Sequence, residues 1–140
     1  MVHPKMFEDD DPLLARVRES ALSLPGTAEK VSHGRPAFYT TKVFTYFGGS
    51  EKVDGQWVNH ERCILVLPDS EERKALLEDD RVYVPGYLGA SGWVGFELPT
   101  LRAAKARWAE VTELMDASYR NTAGRRLVTA LDARPLTPAR

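Results

Sequence analysis

Cysteine is nearly absent: Cys63 is the only one in 140 residues. A single thiol excludes an intrachain disulfide framework and a multi-cysteine zinc ribbon, and it suits a reducing cytoplasm. Histidine is also scarce, limited to His3, His33 and His60. Neither His-Glu-x-x-His nor Gly-x-Ser-x-Gly occurs, so zincin and serine-hydrolase chemistry fall away. Long apolar runs are missing, and the opening Met1-Val2-His3-Pro4-Lys5-Met6-Phe7 lacks the apolar segment of a signal peptide. Export, membrane spanning and a membrane partner are therefore not expected. Met6 is a second candidate start, so residues 1–5 carry no structural weight in this reading. Net charge is lacking as well: nineteen Lys and Arg against twenty Asp and Glu leave −1, which provides no global field to draw the chain onto nucleic acid.

What is present is enough for one core. The chain is 43% apolar and 28% charged, which excludes disordered and collagen-like classes and fits a single domain. Asp11-Pro12 opens a helix over about 12–23, with Leu13, Leu14, Val17, Ala21 and Leu22 on one face, and Pro25-Gly26 stops it. From Lys30 the pattern turns extended, and strands are expected at Pro36–Tyr39, Val43–Phe47 and Arg62–Leu67. Gly48 to Gly55 reads as an exposed hairpin tip, with Trp57 on the return.

Asp69 caps a short helix from Ser70 to about Glu78 that turns Leu76 and Leu77 inward. Short strands follow at Arg81–Val84 and Trp93–Leu98, joined by a loop over Pro85–Gly92. Leu101, Ala104, Trp108, Val111, Met115 and Tyr119 recur at spacings of three and four, predicting a long helix over the sheet. Arg125–Leu131 forms a last short helix. The fold class is α+β, an antiparallel sheet packed against an N-terminal helix and a long C-terminal helix. Residues 12–131 form the domain, 1–11 an N-terminal tail and 132–140 a flexible C-terminal tail.

Candidate chemistry is sparse. His60-x-x-Cys63 has a metal-like or thiol-imidazole spacing. In a regular strand, however, the two point to opposite faces: Cys63 with Leu65 and Leu67, His60 with Arg62, Ile64 and Val66. Gly86, Gly89, Gly92 and Gly95 are evenly spaced, but they lead into a strand ended by Pro99, not into the helix a phosphate loop requires. Glu29, Glu61 and Glu97 lie on or near strands and read as solvated faces. No metal or cofactor is expected, and no catalytic residues emerge, so an enzyme is not the favoured reading.

Charge is unevenly spread. Residues 101–140 hold eight Lys and Arg against four Asp and Glu, a net +4, so the first hundred carry −5. Glu110, Glu113 and Asp116 interrupt the cations of the long helix, which breaks any continuous phosphate track. Arg35, Lys42, Lys52 and Arg62 cluster on or near the first hairpin with Trp57 beside its tip, the best basic-plus-aromatic group in the chain.

Six segments in order carry a resemblance: Ala21-Leu22-Ser23-Leu24-Pro25-Gly26, then His33-Gly34-Arg35-Pro36-Ala37-Phe38 before Lys42-Val43-Phe44, then Tyr87-Leu88-Gly89 with Gly92-Trp93-Val94, and Ala117-Ser118-Tyr119. Across about residues 12–131 the chain resembles the MmcQ/YjbR family of small bacterial domains. The resemblance implies a frataxin-like or secretion-chaperone-like arrangement with two protruding hairpins, or wings, here around Gly48–Trp57 and Pro85–Trp93. It also implies DNA binding through the wings, with no catalytic residues to carry over. Two departures stand out: the tip Glu51-Lys52-Val53-Asp54 is charge-balanced, and Gly124 stands where relatives often have proline.

Three readings follow. In the first, the chain is a cytoplasmic DNA-binding domain whose phosphate contacts are Arg35, Lys42, Lys52 and Arg62, helped by Arg125 and Arg126. In the second, it is a protein-interaction module or homodimer using an exposed sheet face, with Trp57, Tyr87 and Trp93 as anchors. In the third, a small molecule binds near Trp93 and the glycine-rich loop.

Overall fold

Asp11 starts the first helix as its sequence requires: the carboxylate accepts from Leu13 N at 2.9 Å, and Pro12 takes the first helical position. In the computed structural model, which describes residues 4–135, this helix α1 spans Pro12–Leu22. Four strands follow, β1 Ala28–Ser32, β2 Arg35–Tyr39, β3 Val43–Val53 and β4 Gln56–Val66. Next come α2 Ser70–Leu76, β5 Val82–Tyr83, a 3-10 turn at Leu88–Ser91 and β6 Val94–Glu97. The helices α3 Lys105–Thr122 and α4 Arg125–Asp132 close the described chain.

The six strands form one antiparallel sheet in the order β1-β2-β3-β4-β6-β5. With four helices this is an α+β fold. Alternation along β4 divides the interior in two. Ile64 and Val66 join Phe38, Phe47, Val94 and Phe96 beneath α1 and α3, where Leu14, Val17, Trp108, Val111 and Tyr119 complete the main core. Cys63 and Leu65 face the other way, into a smaller cluster with Trp93, Tyr46, Leu67 and Tyr83.

The ends of the described chain also make contacts. Met6 N donates to Gly34 O at 2.9 Å, and Phe7 packs against the main core. Leu127 and Leu131 of α4 reach the same core, and the Arg134 guanidinium donates to Ser23 O at 2.8 Å. Residues 136–140 lie outside the described residues.

Three local expectations are corrected. Strand β3 does not stop at Phe47 but continues through Gly48 to Val53, and the turn is only Asp54-Gly55, with φ of 49° and 80°. Asp-Gly tolerates positive φ at both central positions, which matches the twist of a tight hairpin. Leu101 is not on the long helix: Ala104, with ψ of 150°, sets the start at Lys105, and Leu101 is exposed. Its spacing matched the helical period by coincidence. Leu76 packs inward as expected, whereas Leu77 caps the end of α2 and is exposed.

Candidate functional site

The length of β3 and β4 creates the projecting feature. Strand β2 pairs with β3 only as far as Tyr46, and β6 pairs with β4 only from Cys63 onward. From Gly49 to Val53 and from Gln56 to His60 the two strands pair with each other alone, as a two-stranded wing. Strand register sets Lys52 opposite Trp57, and Lys52 Nζ lies 5.6 Å from the indole centroid.

The connection after β5 folds back on this wing. Gly86 N donates to Ser50 O at 2.9 Å, and a side chain at residue 86 would collide with the Trp57 ring. Glycine is what lets the indole lie against the loop backbone. The next residue, Tyr87, has φ of 61° and ψ of −61°, and Leu88 N reaches Gly86 O at 2.6 Å across it. This is a γ-turn of the strained kind at a non-glycine residue. It turns the phenol outward, 87% exposed, with its ring stacked on Trp57 at 5.4 Å between centroids and 26° between planes.

At the base of the wing is a polar cluster. His60 Nδ1 lies 2.6 Å from Glu97 of β6, and its Nε2 lies 3.0 Å from Glu51 of β3. Each ring nitrogen thus faces one carboxylate, and one N–H of the imidazole serves as the donor between them. The imidazole also stacks on Tyr83 of β5 at 3.9 Å, and the Tyr83 hydroxyl is 3.1 Å from Cys63 Sγ. Burial pushes the Cys63 thiol up to about 12, and burial likewise raises the Tyr83 phenol. A protonated thiol is a poor nucleophile, so this group offers no thiolate chemistry at neutral pH. An open cleft beside it is bordered by Asp80, Arg81, Val84 and Leu77.

His60 and Cys63 therefore touch the same tyrosine, which overturns the opposite-face expectation. The register slips between Phe47 and Gly49, where Gly48 alone on β3 stands opposite Glu61, Arg62 and Cys63 on β4. The irregularity ends simple alternation between Cys63 and His60. Gly48-Gly49 inside an aromatic strand was the available signal for it. Nothing in the sequence singled out Tyr83 or joined Glu51 to Glu97.

The other expected site residues are dispersed. Arg35 is 8% exposed and pairs with Glu61 at 3.2 Å and 3.3 Å, its guanidinium filling the space beside Gly48, which has φ of 85°. Lys42 precedes β3 and Lys52 sits near its far end, roughly 30 Å apart along an extended strand. Arg62 is exposed on β4, and Arg125 and Arg126 are exposed at the start of α4. Lys42, Lys52, Arg62, Arg125 and Arg126 make no ion pair among the described residues. Trp57 and Tyr87 are brought together, while Trp93 is 7% exposed and packs edge-on against Tyr46.

Glu29, Glu61 and Glu97 have different partners, Arg18, Arg35 and His60. Among the described residues, no three His, Cys, Asp or Glu side chains gather to hold a metal ion. No helix among them is long and apolar enough to cross a membrane.

The family model YjbR matches residues 22–121. The chain belongs to the YjbR family. No curated protein and no solved structure matches it. The matched span contains the wing, its docked loop and the His60 cluster of this YjbR domain, whereas α4 with Arg125 and Arg126 lies beyond it.

Proposed function

We propose that this YjbR domain binds DNA through the outer half of the β3–β4 wing. The observation that carries the reading is the exposed group formed by Lys52 and Trp57 of the projecting strand pair and Tyr87 of the loop docked on it, a cation and two stacked rings. Cations meet phosphates and aromatic faces meet bases, which is how sequence-tolerant nucleic-acid surfaces are built. Of the six basic residues singled out in the sequence, Lys52 belongs to this group. Arg62 lies on the same hairpin, nearer its base, and supplies a second phosphate contact. A cytoplasmic setting accompanies the reading, since the one thiol is free and buried.

The test is binding to DNA at a series of salt concentrations. Affinity falls as salt rises, and Lys52→Ala lowers the slope of log K against log salt by about 0.7–0.9, the share of one phosphate contact. Absence of binding at low salt, or a slope that Lys52→Ala leaves unchanged, overturns the reading.

A second reading, protein interaction at the wing, is favoured by the apolar side chains exposed on both of its faces: Trp57 with Tyr87 stacked on it, and Val53 and Val58 on the opposite face of the hairpin. Self-association then gives a solution mass that rises with concentration and reverts to the monomer in Trp57→Ala. A monomer at every concentration removes the homodimer form of that reading.

A further inference from the structure

The wing carries little positive charge but a large open ring, and this contrast says which form of DNA it takes. Lys52 is accompanied on the outer hairpin by Glu51 and Asp54. Arg35 is buried against Glu61, Lys42 sits before the start of β3, and Arg62 nearer the base of the hairpin adds one further exposed cation, so the wing offers two phosphate contacts. A duplex-binding surface relies on several phosphate contacts, since these supply most of its affinity. Here the stacking surface outweighs the charge. Trp57 covers one side of Tyr87, yet the phenol stays 87% exposed. A strained backbone turn holds it there, outside both core clusters.

In a duplex both faces of each internal base are covered by neighbours, so an open aromatic face has nothing to stack on. Unpaired bases leave a face free. Resting on the wing reading above, we infer that the ligand is single-stranded: an unpaired base stacks on the open face of Tyr87 while a phosphate of the same strand meets Lys52. Because every base has such a face, this contact is indifferent to sequence.

The test is fluorescence titration of the full chain at low salt with an oligothymidylate of about ten nucleotides, a length within the usual site size, and, as the duplex, with a G·C-rich DNA hairpin whose stem has about ten pairs and stays closed at that salt. Trp57 is the exposed tryptophan, while Trp93 and Trp108 are 7% and 5% exposed, so quenching reports on the wing. The single strand is expected to bind about tenfold or more tightly than the duplex. Tyr87→Ala is expected to lose about tenfold for the single strand, Tyr87→Phe to keep the affinity, and the duplex to be indifferent to both. Duplex binding as tight as single-strand binding overturns the single-strand inference and leaves the wing reading standing. A single-strand affinity unmoved by Tyr87→Ala also overturns the inference. Absence of binding to either form overturns both readings.

Discussion

The imidazole of His60 lies flat on the phenol of Tyr83, with ring centroids 3.9 Å apart and planes 15° from parallel. Four strands meet at this contact. His60 belongs to β4, Tyr83 to β5, and the two carboxylates against the imidazole belong to β3 and β6. The wing is thus fastened at its base on the side to which its docked loop returns.

Replacing His60 by alanine removes the donor that Glu51 and Glu97 share and the ring that covers Tyr83. Charged hydrogen bonds of this kind contribute about 1–3 kcal/mol, and a loss in that range is expected in urea unfolding. Adding Glu51→Gln to His60→Ala should recover part of it, because one uncompensated carboxylate is gone. Equal stability of His60→Ala and the parent chain would show that the clamp contributes nothing.

Cys63 should be chemically silent in the folded protein. Its thiol is fully buried and held protonated, with a pKa pushed up to about 12. Iodoacetamide at neutral pH is expected to leave it unmodified by mass spectrometry over a time that completes labelling in denaturing urea. Prompt alkylation of the native chain would contradict the burial.

Much of this fold was legible because local and global signals agree. Asp11-Pro12 opens α1, Asp69 caps α2, and Trp108, Val111, Met115 and Tyr119 face the sheet as their spacing requires. The site was less legible because it depends on an interruption of the period. Alternation back from Cys63 fails at the register slip beside Gly48-Gly49, so the face of His60 could not be counted along the strand. Trp57 was recognisable as a wing aromatic, but its partner Tyr87 arrives by a chain reversal some thirty residues later, a relation that no local pattern encodes. Arg35 looked like a surface cation because nothing nearby in sequence announces Glu61 as its partner.

Ser118 should prove unusually costly to truncate. It is fully buried on α3, donates to Phe44 O of β3 and accepts from Leu67 N at 2.8 Å, just past the end of β4. One hydroxyl therefore ties the helix to two places on the sheet. Ser118→Ala strips both backbone groups of this partner, and about 2–3 kcal/mol of stability is expected to go with them. Ser91→Ala, on an exposed turn, serves as the reference and should change stability by less than about 0.5 kcal/mol. If urea midpoints of the two variants coincide, the bridge carries no weight.

Asp79 gives the domain a defined response to acid. The Arg81 side chain bonds its carboxylate at 2.7 Å and 3.0 Å, the Arg81 backbone N–H adds a third bond at 2.9 Å, and together these pull its pKa from 3.8 to about 2. Arg81 also holds Glu110 on α3, so the carboxylate steadies a link between the start of β5 and the helix layer. A folded-state pKa below the unfolded one means that folding favours the ionised form. The contribution is fully present above the unfolded value and disappears as pH falls through the folded one. Both side chains are about one-third exposed, so solvent screening reduces it to about 1 kcal/mol or less. Asp79→Asn should lower stability by that amount at pH 7, and the difference from the parent chain should shrink between about pH 4 and pH 2. Urea midpoints measured across that range check it. A gap that persists unchanged at pH 2 would mean that the loss at pH 7 has another origin than the ionised carboxylate.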